Sequence, residues 1–122
     1  MKNYRDLKVW QFGMDLAIDI CRLMESFPKY EQYGICSQLR RCAVSIPSNI
    51  AEGHQRDSTK EFLHYLSITR GSLAELETQI VIAQRLDYLT SEKSQHLLSQ
   101  MDELSRMLQG LQAALRRKLP KK

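Results

Sequence analysis

The chain has 122 residues, 43% of them hydrophobic and 26% charged, with a formal net charge of +4, which suits a single domain with its own core and excludes wholesale disorder. No apolar run approaches the roughly 20 residues that a membrane-spanning helix needs, and the polar start Met1 to Asp6 is no signal peptide, so a cytoplasmic protein without a membrane partner is expected. Cys21, Cys36 and Cys42, odd in number and within helical patterns, read as reduced thiols, and with His54, His64 and His96 scattered along the chain no metal or other cofactor is expected.

In chain order, Asp6 is placed to cap a first helix, along which Leu7, Trp10, Met14, Ala17, Cys21 and Met24 recur at spacings of three and four. That spacing is the seam of a bundle. A second series, Val9, Phe12, Leu16, Ile20 and Leu23, makes the apolar surface wider than one seam requires, and part of it is expected to face another subunit. Phe27-Pro28 ends the helix, because a residue before proline is pushed out of the α region. Lys29 to Gly34 form a short polar connection carrying Tyr30 and Tyr33.

A second helix is expected from about Ile35 to Ala51, with Ile35, Leu39, Cys42, Ile46 and Ile50 facing inward and Gly53 as its stop. Pro47 lies inside it and removes a backbone donor, at about 3 kcal/mol if nothing compensates. Ser45, Ser48 and Asn49 are the polar groups near enough to help.

After a loop from His54 to Asp57, Ser58 with Glu61 forms a capping box for a long third helix. Its seam is Phe62, Leu66, Thr69, Leu73, Leu76, Ile80 and Ala83, a heptad rhythm. Thr90 caps a fourth helix with the seam Leu97, Met101, Leu104, Leu108, Leu111 and Leu115, stopped by Leu119-Pro120. Four helices, short connections and no strand pattern predict an all-α fold, an antiparallel up-and-down four-helix bundle over residues 1–115 followed by a basic tail, 116–122.

Polar residues concentrate around Pro47. We expect a structural junction in which Asn49, Glu52 and at least one of Arg40 or Arg41 contact the third helix near Gly71, whose missing side chain would admit the second helix beside Pro47. Arg40 and Arg41 are about 100° apart around a helix, so at least one must reach solvent or an interface. The alternative is that they pair with Glu52, Glu75 or Glu77.

Charge is unevenly placed. Arg116, Arg117, Lys118, Lys121 and Lys122 supply five of the 18 basic residues, leaving 13 against 14 acidic ones in the rest of the chain. Such a tail is either a solubilising end or a contact for phosphates. Together with Arg40 and Arg41 these residues are the candidate nucleic-acid contacts. No nucleophile elbow, phosphate loop or paired metal-binding carboxylate motif is present, and no enzyme is expected.

The blocks Leu7-Lys8-Val9-Trp10, Phe27-Pro28, Gln38-Leu39-Arg40-Arg41, Ser45-Ile46-Pro47-Ser48-Asn49-Ile50-Ala51-Glu52-Gly53 and Gly71-Ser72-Leu73-Ala74-Glu75-Leu76-Glu77 resemble the four-helix-bundle proteins encoded in intervening sequences of bacterial 23S rRNA genes. The resemblance spans roughly residues 4 to 90. It implies a bundle that assembles into a ring-like homopentamer, and kinship with the accessory proteins of diversity-generating retroelements, similar bundles that bind nucleic acid. Two kinds of partner besides further copies of the chain therefore follow, RNA or DNA on one hand and another protein, with this chain as a scaffold, on the other.

Overall fold

The long amphipathic stretches form four helices in the computed structural model, which describes residues 3–120: α1 Lys8–Leu23, α2 Ile35–Gln55, α3 Thr59–Arg85 and α4 Ser91–Arg116. Consecutive helices pack on one another and α4 closes back on α1, with the most extensive contact between α2 and α3. Among the described residues there is no strand. The architecture is the expected up-and-down bundle.

Local chemistry sets the helix ends. Ser58 Oγ accepts the Glu61 backbone N–H at 3.0 Å and Thr90 Oγ1 that of Lys93 at 3.1 Å, each satisfying one of the donors left over at a helix start. Phe27, before Pro28, takes an extended conformation (ψ 157°), as the clash with the proline ring requires. Past α3, Asp87 adopts φ 64° while the Tyr88 N–H reaches back to the Ala83 carbonyl at 2.9 Å. This is a left-handed helix stop of the kind glycine usually makes, here supplied by aspartate, one of the few side chains that tolerate that region.

Two expected ends are corrected. Asp6 does not cap α1: it lies in a short 3-10 turn, Tyr4–Asp6, whose own cap is Asn3, and α1 begins after Leu7 without a side-chain cap. Gly53 does not stop α2, which continues to Gln55 before Arg56 turns extended.

Inside, Ile20, Leu39, Ile46, Ile50, Leu66, Leu76, Ile80, Met101, Leu104 and Leu108 lose all contact with solvent. Every residue of the seam expected on α3 is buried, and on α4 only Leu111 stays half-buried, with Gln112 taking the inner place beside it. Gln112 accepts a hydrogen bond from Arg70 Nη1 at 3.2 Å and donates to Ser67 Oγ at 3.3 Å. Those two bonds tie α4 to α3 and satisfy an amide that would be costly to bury alone.

On α1 the expected roles are partly exchanged. Val9, Gly13, Leu16, Ala17 and Ile20 face the core, whereas Trp10, Met14 and Cys21 are only half-buried. The reason is Gly13: a side chain there would stand 3.3 Å from Ile46 Cγ2 and 3.7 Å from the Pro47 nitrogen. Its absence lets α1 cross α2 on that face, which turns Trp10 and Met14 outward.

Glu77 on α3 is partly buried, and burial first, then the Asp102 carboxylate, raise its pKa above the ordinary 4.5. A carboxyl whose folded pKa lies above its unfolded one lends stability that is complete below the unfolded pKa and is lost as pH rises through the folded one. Glu77→Gln is therefore expected to raise the thermal midpoint at pH 7. Repeating the comparison below about pH 4 should erase the gain; a gain that persisted in acid would assign it to something other than the charge.

Candidate nucleic-acid interface

The starts of α1 and α3 and the ends of α2 and α4 share one end of the bundle, where Leu7, His54, Phe62, Leu115 and Lys118 line a shallow cleft of about 330 Å³. Leu115 is the last buried residue of α4, and Arg116, Arg117 and Lys118 beyond it are exposed. Lying at a helix C-terminus, they are also favoured by its dipole. The tail's remaining candidates, Lys121 and Lys122, lie outside the described residues.

Arg56 lines the same cleft and it is committed: its Nη2 donates to Glu52 Oε2 at 2.9 Å and to the Tyr65 hydroxyl at 2.7 Å. The Tyr65 hydroxyl in turn donates to the same Glu52 oxygen at 3.2 Å. The Glu52 contact raises the Arg56 pKa further above its already high ordinary value. This three-residue cluster is exposed, so it contributes little stability, but it joins α2 to α3 beside a close approach of the two helices.

That approach is at Gly53. A side chain there would come within 2.6 Å of Tyr65 Cβ and 3.1 Å of Phe62 Cδ1, whereas at Gly71 nothing lies within 4 Å of the same added atom. The expected junction is corrected accordingly: Glu52 does reach the third helix, but at Tyr65, and Gly71 faces solvent. The contact of α2 with that part of α3 falls one residue on, where Cys42 Sγ donates to the Ser72 carbonyl at 2.9 Å. A neighbour about 100° round the helix therefore takes the place assigned to Gly71.

Asn49 makes no hydrogen bond to α3 either. Its Nδ2 donates to the Ser45 carbonyl at 2.8 Å and Ser45 Oγ to the Cys42 carbonyl at 2.6 Å, added bonds within α2, one spanning Pro47 and one preceding it. Pro47 itself is buried against α1.

Arg40 and Arg41 are both exposed. Neither pairs with Glu52, Glu75 or Glu77; the ion pairs among the described residues are Arg56–Glu52 and Arg106–Asp102. Arg40 stands about 20 Å along α2 from the end that carries the tail, at 1.5 Å per residue. The fold thus separates the candidate cations into two groups at opposite ends of the bundle.

Between α1 and α2 runs an open groove of about 610 Å³ walled by Trp10, Met14, Ile18, Val44, Pro47 and Ala51. Ile18 and Val44 are 42% and 46% exposed. Single exposed apolar residues are ordinary, but a contiguous groove of them is the usual mark of an interaction surface.

The thiols offer little chemistry. Burial, with a smaller push from Glu75, raises the Cys42 pKa to about 11, and burial also raises that of Cys36, with Arg40 pulling the other way. Both thiols are protonated at neutral pH, a poor state for a nucleophile or a metal ligand. The described residues contain no group of three or more side chains that would hold a metal ion, and no helix long and apolar enough to cross a membrane.

Fold and surface together define an all-α four-helix bundle with exposed cations at both ends and an apolar groove on one side. Over residues 5–110 the chain matches the 23S rRNA-intervening sequence protein family, and it belongs to that family. A crystal structure of a protein of unknown function from the S23 ribosomal protein family of Bacteroides thetaiotaomicron shares the fold, with a TM-score of 0.80 at 23% identity, covering 86% of this chain and 95% of that one. Comparison with curated proteins finds no match.

Proposed function

We propose that this protein is a non-enzymatic, oligomeric bundle module of the cytoplasm that associates weakly with RNA or DNA through its exposed cations. The observation that carries the reading is that Arg40, Arg41, Arg116, Arg117 and Lys118 all reach solvent and none is neutralised by an acidic partner among the described residues. Lys121 and Lys122 extend the tail group. Because the family is named for 23S rRNA, RNA is the first ligand to test.

Assembly would strengthen the same reading. In this reading a heterologous contact covering the groove between α1 and α2 repeats with a rotation that closes into a ring, a homopentamer on the resemblance above, and a ring multiplies weak phosphate contacts by avidity. Light scattering that found a stable monomer at micromolar concentration would remove this part.

Titration of a structured RNA at several salt concentrations tests the electrostatic contact. Affinity should fall with a logarithmic slope of about −0.7 to −0.9 per neutralised phosphate, and deletion of residues 116–122 should flatten that slope. The truncated chain should keep its bundle, because Leu115 is the last buried residue of α4. Absence of binding even at low salt would leave a second reading ahead, a protein-interaction scaffold that uses the same groove.

A further inference from the structure

The exposed large hydrophobic side chains among the described residues fall on two surfaces. Ile18 and Val44 stand in the groove between α1 and α2, and Tyr30 and Tyr33 in the connection beyond its end. The groove runs on toward that connection: Cys21 and Glu25 line both it and the next cleft, which reaches Gln32 beside Tyr33. The second surface is on α3, where Ile68, Ile82 and Leu86 are 39%, 45% and 49% exposed. Their spacing keeps them on one stripe of the helix, within about 40° of each other. That stripe borders α2, since Tyr65 and Ser72, which bond Glu52 and Cys42 of α2, lie one turn to either side of Ile68.

The two surfaces match in level along the bundle and in charge. The Cys42 thiol bonds the Ser72 carbonyl, which sets those residues at one level. Val44 and Ile68 both lie toward the tail end from there, about 3 and 6 Å away at 1.5 Å per residue. Gly13 faces Pro47, so Arg22, further along α1, falls about 6 Å to the other side of Cys42, and Glu75 about 4.5 Å to that same side. Arg22 lines the groove and Glu75 lies on the α3 stripe; both are exposed, and neither has an ion-pair partner among the described residues. At the far end the Tyr30 hydroxyl is 3.3 Å from that of Tyr88, which puts the connection level with Leu86.

We propose that the groove of one copy receives the α3 stripe of a second copy, with Ile68 entering beside Met14 and Val44, Ile82 and Leu86 lying against Tyr33, and Glu75 pairing with Arg22. This rests on the ring reading above and names both of its faces. A helix seated in an apolar groove is a common mode of recognition, and opposite charges at one level set its register. Two sides of a four-helix bundle that share one helix, here α2, face about 90° apart. Joining one to the other again and again turns each copy by roughly the step that closes a ring of about four or five. Rotation about an axis along the bundle leaves every level unchanged, so the matches above recur at each contact.

Light scattering on the full-length protein at micromolar concentration tests the pairing. Val44→Arg and Ile68→Arg should each reduce the assembled mass to that of one chain, 14.2 kDa. Mixed in equal amounts they should give twice that mass and no more, because each variant keeps the face that the other has lost. Arg22→Glu and Glu75→Arg should each raise the concentration needed for assembly about tenfold, and the double variant should restore it. All four positions are exposed in the single chain, so circular dichroism should show intact helices throughout. If the wild type assembles and Val44→Arg and Ile68→Arg assemble equally well, the pairing is overturned while the ring reading stands. A mixture that stays at the mass of one chain shows that groove and stripe do not meet, and overturns it too. A wild type that stays a monomer overturns both.

Discussion

Replacing Gly53 by leucine is expected to destabilise the bundle by about 3 kcal/mol, the upper end of the usual overpacking range, whereas Gly71→Ala should stabilise it by up to about 1 kcal/mol. Both glycines lie inside helices, and their helix propensities argue identically for substitution. Their surroundings do not. The first atom of a side chain at position 53 would meet Tyr65 Cβ at 2.6 Å, and because that carbon is one bond from the α3 backbone, only separation of the two helices relieves the clash. Tyr65 would move with it, and so would its bonds to Glu52 and Arg56. At position 71 the space is open, so alanine gains backbone rigidity without a steric cost. Urea unfolding midpoints of the two variants decide the matter. An unchanged midpoint for Gly53→Leu, or a loss for Gly71→Ala, would reverse the assignment of the close approach.

The second large effect is expected at Ile50, which is fully buried where α1 crosses α2, with its Cδ1 3.8 Å from the point where a Gly13 side chain would begin. Ile50→Ala removes carbon atoms from a fully buried site and leaves a void in the core. The cost should fall within about 2 to 5 kcal/mol, lowering the thermal midpoint by on the order of 10 °C for a domain of this size. Ile50→Val, with a smaller void, should cost about 0.5 to 1.5 kcal/mol. A loss below 1 kcal/mol for the alanine variant, measured by calorimetry, would show that this crossing is not part of the cooperative core.

What was legible in advance follows from how each feature is encoded. The α3 seam from Phe62 to Ala83 and the caps at Ser58 and Thr90 were read correctly, because periodicity and capping depend on residues a few positions apart. On α1 two apolar series ran side by side, and periodicity cannot say which of two adjacent faces is inside. Gly13 carried that information, but a glycine adds nothing to a hydrophobic pattern. Glycine was misread at Gly53 and Gly71 for the same reason: its meaning lies in what stands opposite, here Tyr65 in one case and solvent in the other.

For the candidate site, Arg40, Arg41 and Arg116 to Lys118 were all identifiable as cations, and their exposure was foreseen in part from the 100° step between the two arginines. Their separation was not, since it depends on α2 and α4 running in the same direction, with Arg40 near the start of its helix and the tail beyond the end of the other. Tyr30 and Tyr33 look like ordinary loop residues in the sequence, and only the contact between the Tyr30 and Tyr88 hydroxyls at 3.3 Å ties one of them to another element. The sequence by itself determined the helix count, the family, most of the core and the amount and sign of the terminal charge, all of which are local or additive properties of the chain. Only the tertiary structure decided which glycine admits a neighbouring helix, which face of α1 is buried, and which charges stay free, because each of these depends on the distance between groups far apart in sequence.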